Sequence, residues 1–222
     1  MNFDFVAPHY RWMETLVFGN ALQLARTYWI DKIPRPERTL IVGEGNGRFL
    51  CELLRVHPQI AVDCVDASKT MLQLTRMRVR RACPQSLSHV QFFCEDILKW
   101  SPQKSYDLLV THFFLDCFRR NELSSVVEKL AHAARPNAAW LIADFTVPGS
   151  RLARAFGRLL LRFMYAFFGV TAGIAAKELV DPFPYLDQNG FSRASLKLSE
   201  ASLVRSDLYL LGQRGENGKS AV

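Results

Sequence analysis

No two of the five cysteines in this 222-residue chain are spaced as CxxC, which argues against a dithiol redox site and a cysteine-built zinc site. Cys51, Cys64, Cys83, Cys94 and Cys117 read instead as reduced, mostly buried small hydrophobes of a cytosolic protein. The five histidines are scattered as well, so no metal-ligand cluster is expected. Residues 163–176 are uncharged but fall short of the ~20 residues a bilayer-spanning helix needs. No secretory leader is expected, because Asp4 and His9 interrupt the only apolar start. Acidic residues are outnumbered, 21 against 28 Lys and Arg, for a net charge of +7. Such a balance suits nucleic acid, an anionic membrane surface or an acidic substrate. Its placement is uneven: Arg76, Arg78, Arg80 and Arg81 crowd one segment, and Arg151, Arg154, Arg158 and Arg162 recur at helical spacing in another.

The composition that remains is that of an ordinary soluble domain, 49% hydrophobic and 22% charged, long enough to bury one full core. Its most informative stretch is residues 39–50, TLIVGEGNGRFL. An apolar run ends in three alternate glycines, Gly43, Gly45 and Gly47, and resumes as an apolar helix. Glycine permits backbone conformations barred to residues with a Cβ, and it lets a ligand approach the main chain at a helix N-terminus. The third glycine of a pyrophosphate-cradling GxGxxG is missing, because Leu50 stands there. A nicotinamide-dependent oxidoreductase therefore ranks low.

Strand-like and helix-like segments alternate from there. Strands are expected at 40–42, 60–65, 90–94, 107–110 and 140–143, with helices at 48–56, 69–81 and 122–134. Pro84 and the run Arg135-Pro136-Asn137 punctuate them. Residues 10–30 carry helical periodicity. Such alternation implies right-handed crossovers and a parallel, doubly wound α/β sheet. Residues 192–198 and 203–211 leave no room for a helix between them and read as an antiparallel hairpin completing seven strands. Residues 151–176 break the pattern, with four arginines on one helical face and Leu, Phe and Tyr on the rest. Three readings stand for that insertion: a core helix with a solvated basic edge, a lid over an apolar substrate, or a helix lying on an anionic membrane.

In an open parallel sheet, ligands bind beyond the carboxyl ends of the strands. The first strand ends in the glycines. The second ends in Asp66, about 20 residues on, where a carboxylate can accept from two ribose hydroxyls; Asp63, three residues earlier, would lie inside the strand. The third ends in Glu95-Asp96, where a side-chain acceptor beside the Ile97 N–H can meet an adenine amino group. The fourth ends in Thr111-His112, followed by Phe113, Phe114, Asp116 and Phe118. Together these four endings suit a nucleoside-bearing ligand.

On these residues, the chain resembles the class I S-adenosylmethionine-dependent methyltransferases across roughly residues 3–147. The opening FDFVAPHYRWMETLVFG, the segment VDASKTML and the run WLIADFTVP also resemble the ubiquinone/menaquinone-type C-methyltransferases. Two departures stand out: Ile41 occupies a position that is usually acidic, with Glu44 as a substitute carboxylate for the ligand's ammonium group, and the quinone enzymes' segment after strand four is replaced by THFFLDCF. The resemblance implies a Rossmann-like single domain of residues 1–222. It would comprise a helical lid at 1–37, a cofactor-binding core at 38–147, a helical substrate insertion at 148–190, the hairpin at 191–212 and a tail at 213–222. The cofactor would be S-adenosyl-L-methionine, with Gly43, Glu44, Gly45, Asn46 and Gly47 under its methionine part and Asp66 and Ala67 at its ribose. Asp96 and Ile97 would take the adenine, Tyr10 would fold over the whole, and the backbone of His112 would line it. Met71 either walls the adenine or packs its helix.

Methyl transfer from a sulfonium is an in-line displacement in which the protein aligns the nucleophile and excludes water. A base is needed only where the acceptor must lose a proton. His112 and Asp116 are the candidates, with Asp144 as a third polar group and His9 facing the same cavity; packing for His112 and helix capping for Asp116 stand as alternatives. His57, His89 and His132 read as surface or loop residues. The expected acceptor is a small apolar molecule, aromatic, quinone-like or isoprenoid-like, with C- and O-methylation both open. A nucleic-acid methyltransferase is the second reading, motivated by charge, although the NPPY-type segment after strand four is absent. A non-catalytic cofactor-binding protein on the same fold is the third. A monomer or homodimer in the cytoplasm is expected, with peripheral membrane contact through 151–176.

Overall fold

Residues 40–42 alternate Leu, Ile, Val, and every one is buried. Successive strand residues point to opposite faces, so this strand must be covered on both sides, as in a parallel sheet sandwiched by helices. The computed structural model shows that arrangement and describes residues 20–146, 180–199 and 204–212. In chain order it contains α1 (Ala21–Thr27), β1 (Arg38–Val42), α2 (Arg48–Val56), β2 (Ala61–Asp66), α3 (Lys69–Ala82), β3 (Val90–Cys94), β4 (Tyr106–His112), α4 (Arg120–His132), β5 (Ala134–Phe145), α5 (Phe183–Gln188), β6 (Phe191–Leu198) and β7 (Val204–Leu211), with short 3-10 turns between some of them.

The seven strands run in the order β3-β2-β1-β4-β5-β7-β6. β1 to β5 are mutually parallel, and β7 is antiparallel to both β5 and β6. This is the Rossmann-like, doubly wound, mostly parallel sheet with an antiparallel C-terminal hairpin. The chain winds from β1 outward through β2 to β3, then returns to lay β4 on the other side of β1. The crevice at that reversal, between β1 and β4, is where such sheets bind ligands.

Two core layers hold the sheet. Ile41, Cys64, Leu108, Val110 and Leu141 pack with Phe49, Leu50 and Leu54 of α2 on one face. Leu40, Val65, Leu109, Trp140 and Tyr209 pack with Leu123, Val127 and Leu130 of α4 on the other. The buried Trp140 indole N–H donates to Thr111 Oγ1 at 2.9 Å, which satisfies a polar group that burial would otherwise penalise. Along edge strand β6, only Phe191 is fully buried. Arg193 and Lys197 there put charge on an edge that would otherwise invite pairing.

The α2 and β3 bounds agree with the sequence reading. β5 does not: it begins at Ala134 rather than near 140, because Pro136 and Asn137 form an irregularity inside the strand instead of a loop before it. Asn137 is left-handed at φ 64°, and the β4–β5 register shifts between Tyr106 and Leu108. Helical periodicity over 10–30 resolves, within the described residues, into α1 and a 3-10 turn at Ile30–Lys32. All five cysteines are free and mostly buried, Cys94 being the exposed one, at the end of an edge strand. The expected lid residues 1–19, the insertion 151–176 and the tail 213–222 lie outside the described residues.

Candidate functional site

Gly43, Gly45 and Gly47 all adopt left-handed backbone, at φ 70°, 72° and 81°, so a side chain at any of them is strained. Their surroundings differ. A Cβ on Gly43 would strike the Phe114 ring, and one on Gly47 would come within 2.9 Å of the Thr75 backbone. A Cβ on Gly45 would meet nothing within 4 Å. The outer glycines thus serve packing, while the middle one faces open space at the head of the β1–β4 crevice. Thr75 Oγ1 donates to the Gly45 carbonyl at 2.9 Å and ties the loop to α3.

Asp66, at the end of β2, holds the loop from the other side. Its Oδ2 accepts from the Gly45 N–H at 3.2 Å, and its Oδ1 accepts from the Ser68 N–H at 2.9 Å. Asp63 is committed elsewhere inside β2: Lys104 Nζ donates to both its oxygens at 3.1 Å, and the Tyr106 hydroxyl donates at 2.7 Å. Ser68 caps α3 by accepting from the Met71 N–H. Met71 is buried, and Ala67 is exposed at the rim.

Glu44 turns back toward α2. Its Oε1 accepts from the Leu50 N–H at 3.0 Å, supplying the cap that Gly47, the N-cap residue, has no side chain to provide. Burial raises its pKa from 4.5 to about 7, and the nearby Asp66 carboxylate adds to the rise. The acid read from sequence as a partner for the ligand's ammonium group is therefore first a helix cap.

Past β3, Asp96 closes a tight turn by accepting from the Leu98 N–H at 3.0 Å, and Ile97 is buried. Lys129 of α4 anchors this loop by donating to the carbonyls of Ile97, Leu98 and Trp100 at 2.7, 3.1 and 2.8 Å.

β4 ends differently. His112 is 8% exposed, and among the described residues neither ring nitrogen has a hydrogen-bond partner. Its ring stands edge-on to Phe49, centroids 4.6 Å apart. Burial, and then the Arg26 charge, hold its pKa well below the usual range, so it is neutral at physiological pH. Phe113 follows at φ 53°, a strained conformation of the kind that gathers at functional sites. It is pinned by its N–H to the Ala143 carbonyl at 2.7 Å and by the Arg26 guanidinium 4.8 Å from its ring. Phe114 and Phe118 pack edge-to-face at 5.0 Å. Asp116 and Asp144 are both buried, and Cys117 Sγ lies 3.6 Å from Asp116 Oδ1.

The structure thus gathers Gly43 to Gly47, Asp66, Asp96, Ile97 and His112 at the carboxyl ends of β1 to β4, with Asp116 just beyond β4 and Asp144 near the end of β5. Tyr10 and His9 lie outside the described residues. His89 and His132 are exposed and His57 partly so. Arg26, Phe49 and Thr75 were missed in sequence; only Ser68, a serine opening a helix, carried a local signal. Among the described residues, no group of three or more His, Cys, Asp or Glu is arranged to hold a metal ion, and no helix is long and apolar enough to cross a membrane.

Residues 40–139 match the family model described as "Methyltransferase domain". Curated relatives include malonyl-[acyl-carrier protein] O-methyltransferases. That of Halalkalibacterium halodurans is 29% identical over 119 residues, covering 52% of this chain and 41% of that protein. That of Bacillus anthracis is 24% identical over 108 residues, covering 49% and 37%. A tRNA N(3)-cytidine methyltransferase of Gallus gallus is 26% identical over 111 residues, covering 49% and 30%. The chain spans less than half the length of each. Among solved structures, the mitomycin 7-O-methyltransferase superposes at TM-score 0.68 with 13% identity, covering 96% of this chain and 61% of that one. CalO1, a methyltransferase in calicheamicin biosynthesis solved with S-adenosylhomocysteine bound, superposes at 0.64 with 20% identity, covering 91% and 56%. At these identities the structural likeness speaks for the fold. The quinone-type grouping is not supported by these relatives, and much of the segment suggesting it lies outside the described residues.

Proposed function

We propose that this chain, whose residues 40–139 form a methyltransferase domain of the class I S-adenosylmethionine-dependent type, transfers a methyl group to an oxygen of a small, largely apolar acceptor. The observation that carries the reading is the loop after β1. Its central glycine faces open space, and two carboxylates, Glu44 and Asp66, flank it. Arg26 already draws Glu44 toward its charged form more than Asp66 opposes it, and a cationic ligand would add to that side. A nucleoside carrying a sulfonium and an ammonium group fits that charge and that space.

On this reading, Gly43 to Gly47, with Asn46 among them, run under the amino-acid part and Asp66 accepts from the ribose hydroxyls, with Ala67 at its rim. Asp96 and the Ile97 N–H meet the adenine, and Met71 walls it. Tyr10 closes over the site. When bound, the cofactor supplies a methyl group on an already activated leaving group. The chain's own task is then to align the acceptor in line and keep water out. Phe113, Phe114 and Phe118 supply apolar walls beyond β4. His112, neutral and with both nitrogens open, offers a hydrogen bond to a ligand group, and it or Asp116 receives the proton an acceptor hydroxyl must lose.

The choice of oxygen follows the O-methyltransferase names among the relatives and the mitomycin 7-O-methyltransferase likeness. A second reading, methylation of RNA, draws on the tRNA-methyltransferase relative and the +7 charge. Incubating the protein with methyl-labelled S-adenosylmethionine and fractionated cell extract separates the two. Label in lipid or small-molecule fractions supports the proposal. Label confined to nucleic acid, with binding that weakens steeply as salt rises, overturns it.

A further inference from the structure

Lys129 stands on α4, a helix the sequence reading gave no part in the site. Its neighbours Val126 and Leu130 share a buried core layer with Ile97 and Trp100, so α4 bears on the loop after β3. The Lys129 ammonium has three protons to donate. Each reaches a main-chain carbonyl of that loop: Ile97 at 2.7 Å, Trp100 at 2.8 Å and Leu98 at 3.1 Å. Carbonyl oxygens turned toward one point repel each other, and a cation at that point lets them converge.

The same peptide units meet Asp96 with their other ends. Among the described residues every peptide bond is trans, so the N–H of each unit points away from its C=O. In the Ile97–Leu98 unit, the carbonyl accepts from Lys129 and the N–H donates to Asp96 Oδ1 at 3.0 Å. In the Leu98–Lys99 unit, the carbonyl accepts from Lys129 and the N–H donates to the Asp96 carbonyl at 2.9 Å. The Trp100 N–H adds a second bond to that carbonyl at 2.8 Å. Each peptide dipole therefore has its negative end on the ammonium and its positive end on Asp96. Hydrogen bonds joined end to end in this way polarise and strengthen one another. One carboxylate oxygen of Asp96 is held by this chain, and among the described residues Oδ2 accepts from no protein donor.

We propose that Lys129 is a positioning residue that sets the base preference of the site. Acting through two peptide units, it fixes Asp96 as the acceptor for an exocyclic amino group, so that adenine is taken and a 6-oxopurine refused. The inference rests on the cofactor reading above, in which Asp96 and the Ile97 N–H meet the base edge. Adenine offers that pair a donor at its amino group and an acceptor at the adjacent ring nitrogen. A 6-oxopurine reverses both, setting a carbonyl oxygen against the carboxylate and an N–H against an N–H. Polar groups left unpaired in a site cost more than a formed hydrogen bond gains, and a site built around a ligand's donor rejects the analogue lacking it. The refusal holds only while Asp96 is kept from swinging away. Lys129 supplies that restraint at one remove, without touching the base.

The test is titration calorimetry on the full chain with S-adenosylhomocysteine and with S-inosylhomocysteine, its 6-oxo counterpart. Wild type should prefer the adenine ligand by at least about 30-fold. Lys129→Met keeps much of the side-chain stem and removes the ammonium. It should narrow that preference by about 5- to 10-fold, chiefly by weakening S-adenosylhomocysteine. Adding Lys129→Met to Asp96→Ala should change the ratio little, because the chain then has no carboxylate to hold. Lys129→Gln, which keeps donors without the charge, gives the same comparison where the methionine variant does not fold. A ratio left unchanged, with both ligands weakened equally or not at all, makes Lys129 a scaffold residue only and overturns the inference. A wild type that binds both ligands alike overturns it too. A wild type that binds neither overturns the cofactor reading, and this inference with it.

Discussion

The two halves of the crevice treat their polar groups in opposite ways. On the β1–β3 side, nearly every polar side chain has a protein partner. Asp66 holds two backbone N–H groups, Glu44 caps α2, Thr75 ties the glycine loop, and Asp96 closes its own turn. On the β4–β5 side, His112 has two open nitrogens among the described residues, Phe113 is strained, and Asp116 and Asp144 are buried. The first half is preorganised, with its shape fixed before any ligand arrives. The second retains uncompensated polarity of the kind that catalytic sites hold in reserve.

The comparison breaks most visibly at the glycines. Gly47→Ala places a Cβ against the Thr75 backbone at φ 81°, where nothing can move aside. It should destabilise the protein by about 2–4 kcal/mol, read by denaturant unfolding. Gly45→Ala meets open space and should lose only the backbone term, about 1–2 kcal/mol, while weakening cofactor binding. Equal losses of stability would mean that the loop's outer and middle glycines do not divide the work.

On the other side, His112→Phe keeps the edge-to-face contact with Phe49 and removes two buried nitrogens without partners. Stability should rise by about 1–3 kcal/mol as methyl transfer falls. A decrease in Tm would show that those nitrogens serve the fold.

Glu44 sharpens the contrast by pH. Its carboxyl pKa is raised from 4.5 to about 7 in the folded protein. Between those values the folded state holds the extra proton, so stability should fall as pH rises through that window and level off above about 7. Glu44→Gln keeps an acceptor for the Leu50 N–H and should flatten that slope. A slope that survives the substitution would assign it to another group.

The same division explains what the sequence disclosed. Strand ends on the cofactor side are read from local pattern, because alternate glycines, an acid three residues beyond a competitor, and an acid pair after an apolar run each sit within one segment. The alternation that makes a doubly wound sheet and the hairpin followed from spacing alone. The Glu44 cap was hidden because it joins residues six apart across a turn whose shape is set by the glycines. Pro136 and Asn137 looked like a loop and proved to be a bulge, since pairing to β4 overrides the local breaker. On the acceptor side, the bearing of Arg26 on His112 depends on contacts between elements far apart in sequence. Periodicity has no means of showing them.

The central claim is that the glycine loop and Asp66 form the site of a sulfonium nucleoside cofactor. Titration calorimetry with S-adenosylhomocysteine on the wild-type protein and Asp66→Ala tests it directly. Wild type should bind, and the variant should lose about 2–4 kcal/mol of binding free energy, roughly 30- to 1,000-fold. A wild type that does not bind, or a variant that binds equally well, would contradict the assignment.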